Sequence, residues 1–234
     1  MNPTKNTALV VIPMAALLNG CQNGLLHPKV TEGVIEYALS FPEYDPNGLM
    51  AGMLPEKTTL AFTENRQAAE LSAGMGVFRT ALIADNEKRE GEYRLSVMSK
   101  KLVAHLGETD VDVFNKESVA FSILYTDQVD TIAGYPCKKA VAVYEGIDKP
   151  EIDLWYTDRI AMENPNWFGP FSEIPGVLLS YEMVQYGMRM RLDATSVVAG
   201  PVDPARFKPK DGYTAVSPEV LHHELSEVIS TFSL

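Results

Sequence analysis

Ile152-Asp-Leu-Trp-Tyr-Thr-Asp158, Asn164-Pro-Asn-Trp-Phe-Gly-Pro-Phe-Ser-Glu-Ile-Pro-Gly176 and Val177-Leu-Leu-Ser-Tyr-Glu182 read as strand, long loop and strand. Both tryptophans of the chain, Trp155 and Trp167, fall inside this stretch. Three prolines and two glycines punctuate the loop and stiffen its backbone. A stiff loop carrying Trp167, Phe168, Phe171 and Ile174 leaves much apolar surface to bury. It is expected to fold back over one mouth of a β-sheet core.

Outward from that stretch, most of the chain alternates. Ile35, Tyr37, Leu39 and Phe41 face one way and Val34, Glu36, Ala38 and Ser40 the other, as in a strand with one buried face. Further strands follow at 58–63, 66–73, 77–85, 92–99 and 101–106, then at 121–132, 135–144, 152–157, 177–185 and 188–197. Glu64-Asn65, Ala133-Gly134 and Tyr186-Gly187 are hairpin connections. The 85–91 tip is charged and reads as solvated, and 107–116 is acidic with no clear period. Ser217-Pro-Glu219 starts a helix with a hydroxyl cap, a first-turn proline and an acid. Val220, Leu221, Leu225, Val228, Ile229 and Phe232 then recur at helical spacing. The fold class is mainly β: a single curled antiparallel sheet, a half-barrel of about ten strands, with a C-terminal helix and one or two short helical turns. The interior of such a half-barrel is filled by its own side chains or by a ligand.

The N-terminus reads differently. Asn2–Thr7 is polar with one cation, Lys5, and Ala8–Leu18 is apolar but shorter than the roughly 20 residues a membrane-spanning helix needs. Leu18-Asn-Gly-Cys21 resembles the lipobox of bacterial lipoproteins, in which the cysteine becomes the lipidated first residue. The resemblance implies a signal peptide over 1–20, lipidation at Cys21, a short tether over 21–29 and a single β-rich domain over 30–234. Gln22 rather than Asp implies an outer-membrane address, on the periplasmic side more than at the surface. The formal charge is −11, and Lys5 is the one charge in residues 1–20, so the remainder carries −12. Such a surface argues against nucleic acid or anionic headgroups as partners. With Cys21 lipidated, Cys137 has no cysteine to pair with.

Two segments resemble the GLPGLI proteins and their lipoprotein relatives in Bacteroidetes-type bacteria. Asp130-Thr-Ile-Ala-Gly-Tyr-Pro-Cys-Lys-Lys-Ala140 is similar to the segment before their exposed strand. Trp155-Tyr-Thr-Asp158, Gly169-Pro-Phe171 and Ile174-Pro-Gly-Val-Leu178 are similar to their naming motif and its tryptophan-rich loop. Glu173 stands where the first glycine of that motif falls, and Val177-Leu178 replaces Leu-Ile. The resemblance covers roughly residues 60–200. It implies an architecture like that of the periplasmic lipoprotein carrier and its outer-membrane receptor, and with it the binding of lipid or an acyl chain.

Reactive constellations are weak. His222 and His223 are adjacent on a helix and point about 100° apart, so they read as solvated residues rather than one metal's ligands. His27 and His105 have no partner at metal-binding spacing. Asp45-Pro-Asn47-Gly48 and Glu108-Thr-Asp110-Val-Asp112 lack the full oxygen set of a calcium loop. Cys137 has no histidine in its local pattern and reads as a small buried hydrophobe. Ser72, Ser96, Ser122 and Ser180 lack a nucleophile-elbow context, and Gly74-Met-Gly76 opens no phosphate-binding helix. No catalytic residue, metal or cofactor is assigned. Methionine re-packs easily around flexible chains. The expected ligand-binding residues are therefore Met50, Met53, Trp155, Trp167, Phe168, Phe171, Met183, Met188 and Met190. The expected partners are a hydrophobic ligand or acyl chain, the membrane through Cys21, and an envelope protein. Two readings stand beside ligand binding: a filled structural or interaction module, and a hydrolase built on a carboxylate pair.

Overall fold

The computed structural model describes residues 29–45, 51–116, 118–145 and 151–231. The signal peptide, Cys21, His27, nearly all of the tether, Met50 and Phe232 lie outside the described residues.

The described chain forms one sheet. Its strands are β1 (Gly33–Ser40), β2 (Lys57–Phe62), β3 (Arg66–Ala73), β4 (Phe78–Asp85), β5 (Glu90–Val97), β6 (Lys100–Leu106), β7 (Phe121–Ile132), β8 (Tyr135–Tyr144), β9 (Ile152–Thr157), β10 (Val177–Gln185), β11 (Met188–Ala199) and β12 (Thr214–Ala215). Their order across the sheet is β12-β6-β5-β4-β3-β2-β1-β11-β10-β9-β8-β7. The sheet is curled but not closed, with β7 at one edge and β12 at the other. All pairings are antiparallel except β12 with β6.

Alternation and turn chemistry produce this arrangement. β10 and β11 meet at Tyr186-Gly187 with φ of 53° and 70°, the positive pair that a tight hairpin turn requires and that glycine adopts freely. Leu60, Ala69 and Leu82 lie side by side across β2, β3 and β4 on the inner face, and Ala61, Ala68 and Ile83 do so on the outer face. β1 reaches across the chain to β11, from Gly33 opposite Ala199 to Ser40 opposite Arg191, and this pairing joins the two hairpin blocks.

Two helices cover part of the inner face. α1 (Val111–Asn115) lies in the acidic stretch and buries Val113 and Phe114. α2 (Pro218–Ser230) starts where the cap signal places it, with the Ser217 Oγ accepting from the Val220 N–H. Its Leu221 and Leu225 pack with Phe78, Leu95, Ala104 and Phe114, and the same cluster includes Tyr186 at the β10–β11 turn. The helix therefore lies on the inner face between β6 and the β10–β11 turn.

The outer face is covered too. Residues 200–213 cross it, burying Val202 against Ala61, Ala68 and Ile83. Beneath this segment Glu92 and Arg94 form a buried ion pair, and Arg94 donates to the Lys208 carbonyl at 2.6 Å.

The single curled antiparallel sheet with a C-terminal helix is as expected, with twelve strands among the described residues; the two-residue β12 pairs by backbone alone and leaves no alternation to read. Two local expectations are corrected. The 85–91 tip is not wholly solvated: Asn86 is fully buried. His222 is not a solvated helix residue, since its ring packs on Tyr186 at 5.1 Å and Phe114 at 5.8 Å. His223 is exposed, 3.4 Å from Glu227.

Candidate functional site: an uncharged hollow

Between the inner faces of β1–β5 and β10–β11 lies a cavity of about 260 Å³. Leu39, Leu60, Ala69, Leu71, Leu82 and Leu192 form its wall, each placed inward by the strand period. The 164–176 loop closes it with Pro165, Phe168, Pro170 and Phe171. A second space of about 80 Å³ adjoins it, sharing Leu71, Thr80, Tyr93, Gln185 and Met190, and is bounded by Phe41, Leu54, Leu225 and Ile229. No Asp, Glu, Lys, Arg or His lines either space among the described residues.

The polar points inside are uncharged. The Tyr37 hydroxyl donates to the Leu178 carbonyl at 2.8 Å. Burial pushes the Tyr93 phenol up to about 12, against a smaller lowering by its hydrogen bond with Thr80. Burial alone pushes Tyr181 up to about 12. These shifts mark a low-dielectric interior that disfavours charge.

A buried amide holds the loop in place. The Asn86 Oδ1 accepts from the Gln67 Nε2 at 2.8 Å and from the Trp167 Nε1 at 3.1 Å. Gln67 also donates to the Pro165 carbonyl at 3.1 Å. Inside the loop, the Asn166 Nδ2 donates to the carbonyls of Ile174 and Gly176 at 2.9 and 2.8 Å. Asn115 of α1 donates to the Phe168 carbonyl at 3.2 Å. Gly176 sits where a Cβ would come within 2.5 Å of the Thr157 carbonyl oxygen, so the close approach of loop and β9 needs glycine.

The expected site residues divide. Phe168, Phe171, Met183 and Met190 line the larger space, and Met188 and Met190 the smaller. Trp167 lines neither: it is buried, with its indole N–H on Asn86 and its ring 5.7 Å from Phe168. Trp155 lines neither and is half-buried, with the Lys139 ammonium 5.7 Å from its ring. Met53 is exposed. Sequence reasoning missed Asn86, Gln67 and Asn166, which are single polar residues with no periodic signature. Tyr37, Tyr93 and Tyr181 were legible as inward positions of strands but were not singled out.

Reactive clusters fare as follows. No group of three or more His, Cys, Asp or Glu poised for a metal occurs among the described residues. Burial raises Asp193, but Arg191 at 2.8 Å and Ser180 at 2.6 Å outweigh it and hold the carboxyl below its ordinary value. Burial pushes the Cys137 thiol up to about 11, which suits an inert side chain.

Fold and site together define an open, curled β-sheet protein around an apolar, uncharged hollow. Among solved structures, PNGF-II in its C2 crystal form matches 84% of this chain with a TM-score of 0.50 and 15% identity. Its P21 form matches 84% at 0.49 and 16%. This chain spans 32% and 33% of those PNGF-II chains, and the likeness is one of fold. A beta-barrel-like protein of the domain of unknown function DUF1849 from Brucella abortus matches 75% of this chain and 100% of its own, at a TM-score of 0.34 and 8% identity. No family model and no curated protein matches the sequence.

Proposed function

We propose that this protein is a non-enzymatic, lipid-anchored protein of the bacterial cell envelope that holds an acyl chain or a similar apolar ligand in its hollow. The observation that carries the reading is the lining. In a chain with 22% charged residues, no charged side chain among the described residues lines either space. Metal and phosphate chemistry need such groups; an uncharged chain needs none. Size sets the ligand's length. An apolar cavity of about 150 Å³ takes a benzene ring, so by proportion the larger space takes about ten carbons and the smaller about three more. Anchoring at Cys21 and a periplasm-facing outer-membrane location rest on Leu18–Cys21 and Gln22.

The test is native mass spectrometry of the Cys21→Ser protein with decanol and hexadecanol. Decanol is expected to be retained, and hexadecanol less so. Ala69→Phe should fill the hollow and abolish the decanol adduct while leaving the melting temperature close to wild type. Absence of any adduct on the parent protein counts against the reading.

A second reading, an interaction module, is favoured by β7. This edge strand exposes Leu124, Tyr125 and Val129 beside unpaired backbone groups, as a surface for strand addition does. Val129→Lys should then cost the capture of one defined envelope protein and leave the decanol adduct intact.

A further inference from the structure

The two spaces meet at a polar collar. Leu71, Thr80, Tyr93, Gln185 and Met190 border both, and three of these five side chains are uncharged hydrogen-bonding groups. Thr80 of β4 and Tyr93 of β5 point inward with Leu82 and Leu95 by the strand period. Gln185 ends β10 on the other wall, next to Tyr186, which packs in one cluster with Phe78 of β4 and Leu95 of β5. Apolar surface continues to either side of the collar. Leu39, Leu60 and Leu192 line the larger space, and Phe41, Leu54 and Leu225 the smaller.

Most other polar groups of the larger space are engaged within the fold. The Tyr37 hydroxyl donates to Leu178, and the Thr58 Oγ1 to the Glu70 carbonyl at 2.8 Å. Gln67, Asn115 and Asn166 donate to Asn86, Phe168 and Ile174. The collar differs. The Gln185 side-chain amide, with its N–H donors, makes no hydrogen bond to any described residue. Thr80 and Tyr93 share one hydrogen bond between their hydroxyls. A pair of hydroxyls carries a pair of O–H protons, so one proton is left to donate elsewhere. Among the described residues no cation borders either space, so a carboxylate at the collar would lose its hydration with no counter-charge in return.

We propose that the hollow selects a neutral acyl ester and holds its carbonyl at the collar. The Gln185 amide and the remaining hydroxyl proton donate to the carbonyl oxygen. An acyl chain of about ten carbons fills the larger space, and about three carbons on the alcohol side enter the smaller. A plain hydrocarbon would strand the collar donors in a low-dielectric site. A terminal hydroxyl would end the chain at the collar and leave the smaller space unfilled. A carbonyl set inside a chain meets both demands. The inference rests on the reading of the hollow as a holder of apolar chains, and it names the polar group that such a chain carries.

The experiment loads the Cys21→Ser protein with decanol and follows its displacement by native mass spectrometry. The competitors are propyl decanoate, tridecane, which matches its carbon count without an acceptor, and ionised decanoate. Propyl decanoate should displace decanol at a concentration about tenfold below that of tridecane, and decanoate should be the weakest. Gln185→Leu, at a partly exposed position, should remove about fivefold of the ester's advantage and leave tridecane unchanged; Thr80→Val should act in the same direction. Infrared spectroscopy of propyl decanoate with an isotope-labelled carbonyl reads the contact on the parent protein alone. The bound carbonyl stretch should fall below its value in hexane and return toward it in Gln185→Leu. Equal competition by ester and alkane, decanoate matching the ester, or a bound stretch at its hexane value overturns the inference and leaves the hollow reading standing. Absence of a decanol adduct on the parent overturns the hollow reading, and the inference with it.

Discussion

At the scale of the residue, the decisive feature is a single buried amide. Asn86 is fully buried and receives hydrogen bonds from Gln67 and Trp167. Asn86→Ala strands both donors in a dry interior, and a stranded donor costs about 1–3 kcal/mol. A loss of about 3 kcal/mol in urea unfolding is expected. Trp167→Phe, which removes one donor and keeps a ring, should cost about half of that. Met75 and Met98, both exposed at φ of 54° and 52°, predict the opposite sign: Asn takes that conformation more cheaply, so each Asn variant should melt at or above the parent temperature. Legibility at this scale is uneven. Phe168, Phe171, Met183, Met188 and Met190 could be picked out because apolar side chains on inward strand positions or a stiff loop have one place to go. Asn86 could not. It follows a strand into a polar hairpin tip, and Gln67 and the far-off Trp167, whose N–H groups it satisfies, make its burial favourable. Trp155 shows the converse: a large aromatic chosen for size lies away from the hollow, beside Lys139 and Asp153, whose ion pair spans 2.8 Å.

At the scale of the element, the hairpins were legible because alternation and turn chemistry agree on register. The β10–β11 pair runs from Gln185 opposite Met188 to Ser180 opposite Asp193, as a two-residue turn at Tyr186-Gly187 requires. α2 was legible from its cap, and its stability should respond to that cap: Ser217→Ala is expected to cost about 1 kcal/mol. α1 was not legible, since five residues give too little period, and it is held by Val113 and Phe114 rather than by propensity. The 164–176 loop depends on its junction with β9. Gly176→Ala drives a methyl into the Thr157 carbonyl and should cost upward of about 1 kcal/mol, with the decanol adduct weakened as the lid shifts. Thermal unfolding and native mass spectrometry on the same sample read both effects.

At the scale of the whole molecule, the interior acts as a low-dielectric compartment. Tyr93 and Tyr181 ionise near 12 in the fold and near 10 when unfolded. Their raised values favour the neutral, folded form. The stability they contribute is whole below pH 10 and is lost between pH 10 and 12, as the unfolded chain sheds protons that the fold retains. Ultraviolet titration should show at least three late phenols, since burial also raises Tyr37 well above its ordinary value, and urea midpoints should fall across that window. The chain's course through the sheet has a further consequence for synthesis. β1 finds its partner in β11, and α2, which covers part of the inner face, follows all twelve strands. A polypeptide delivered N-terminus first, from a ribosome or through a translocation pore, thus emerges with the inner face of β2–β6 uncovered until α2 follows. Such long-range closure makes folding slow and leaves the nascent hairpins prone to aggregate, so a holding chaperone has the whole of delivery in which to act.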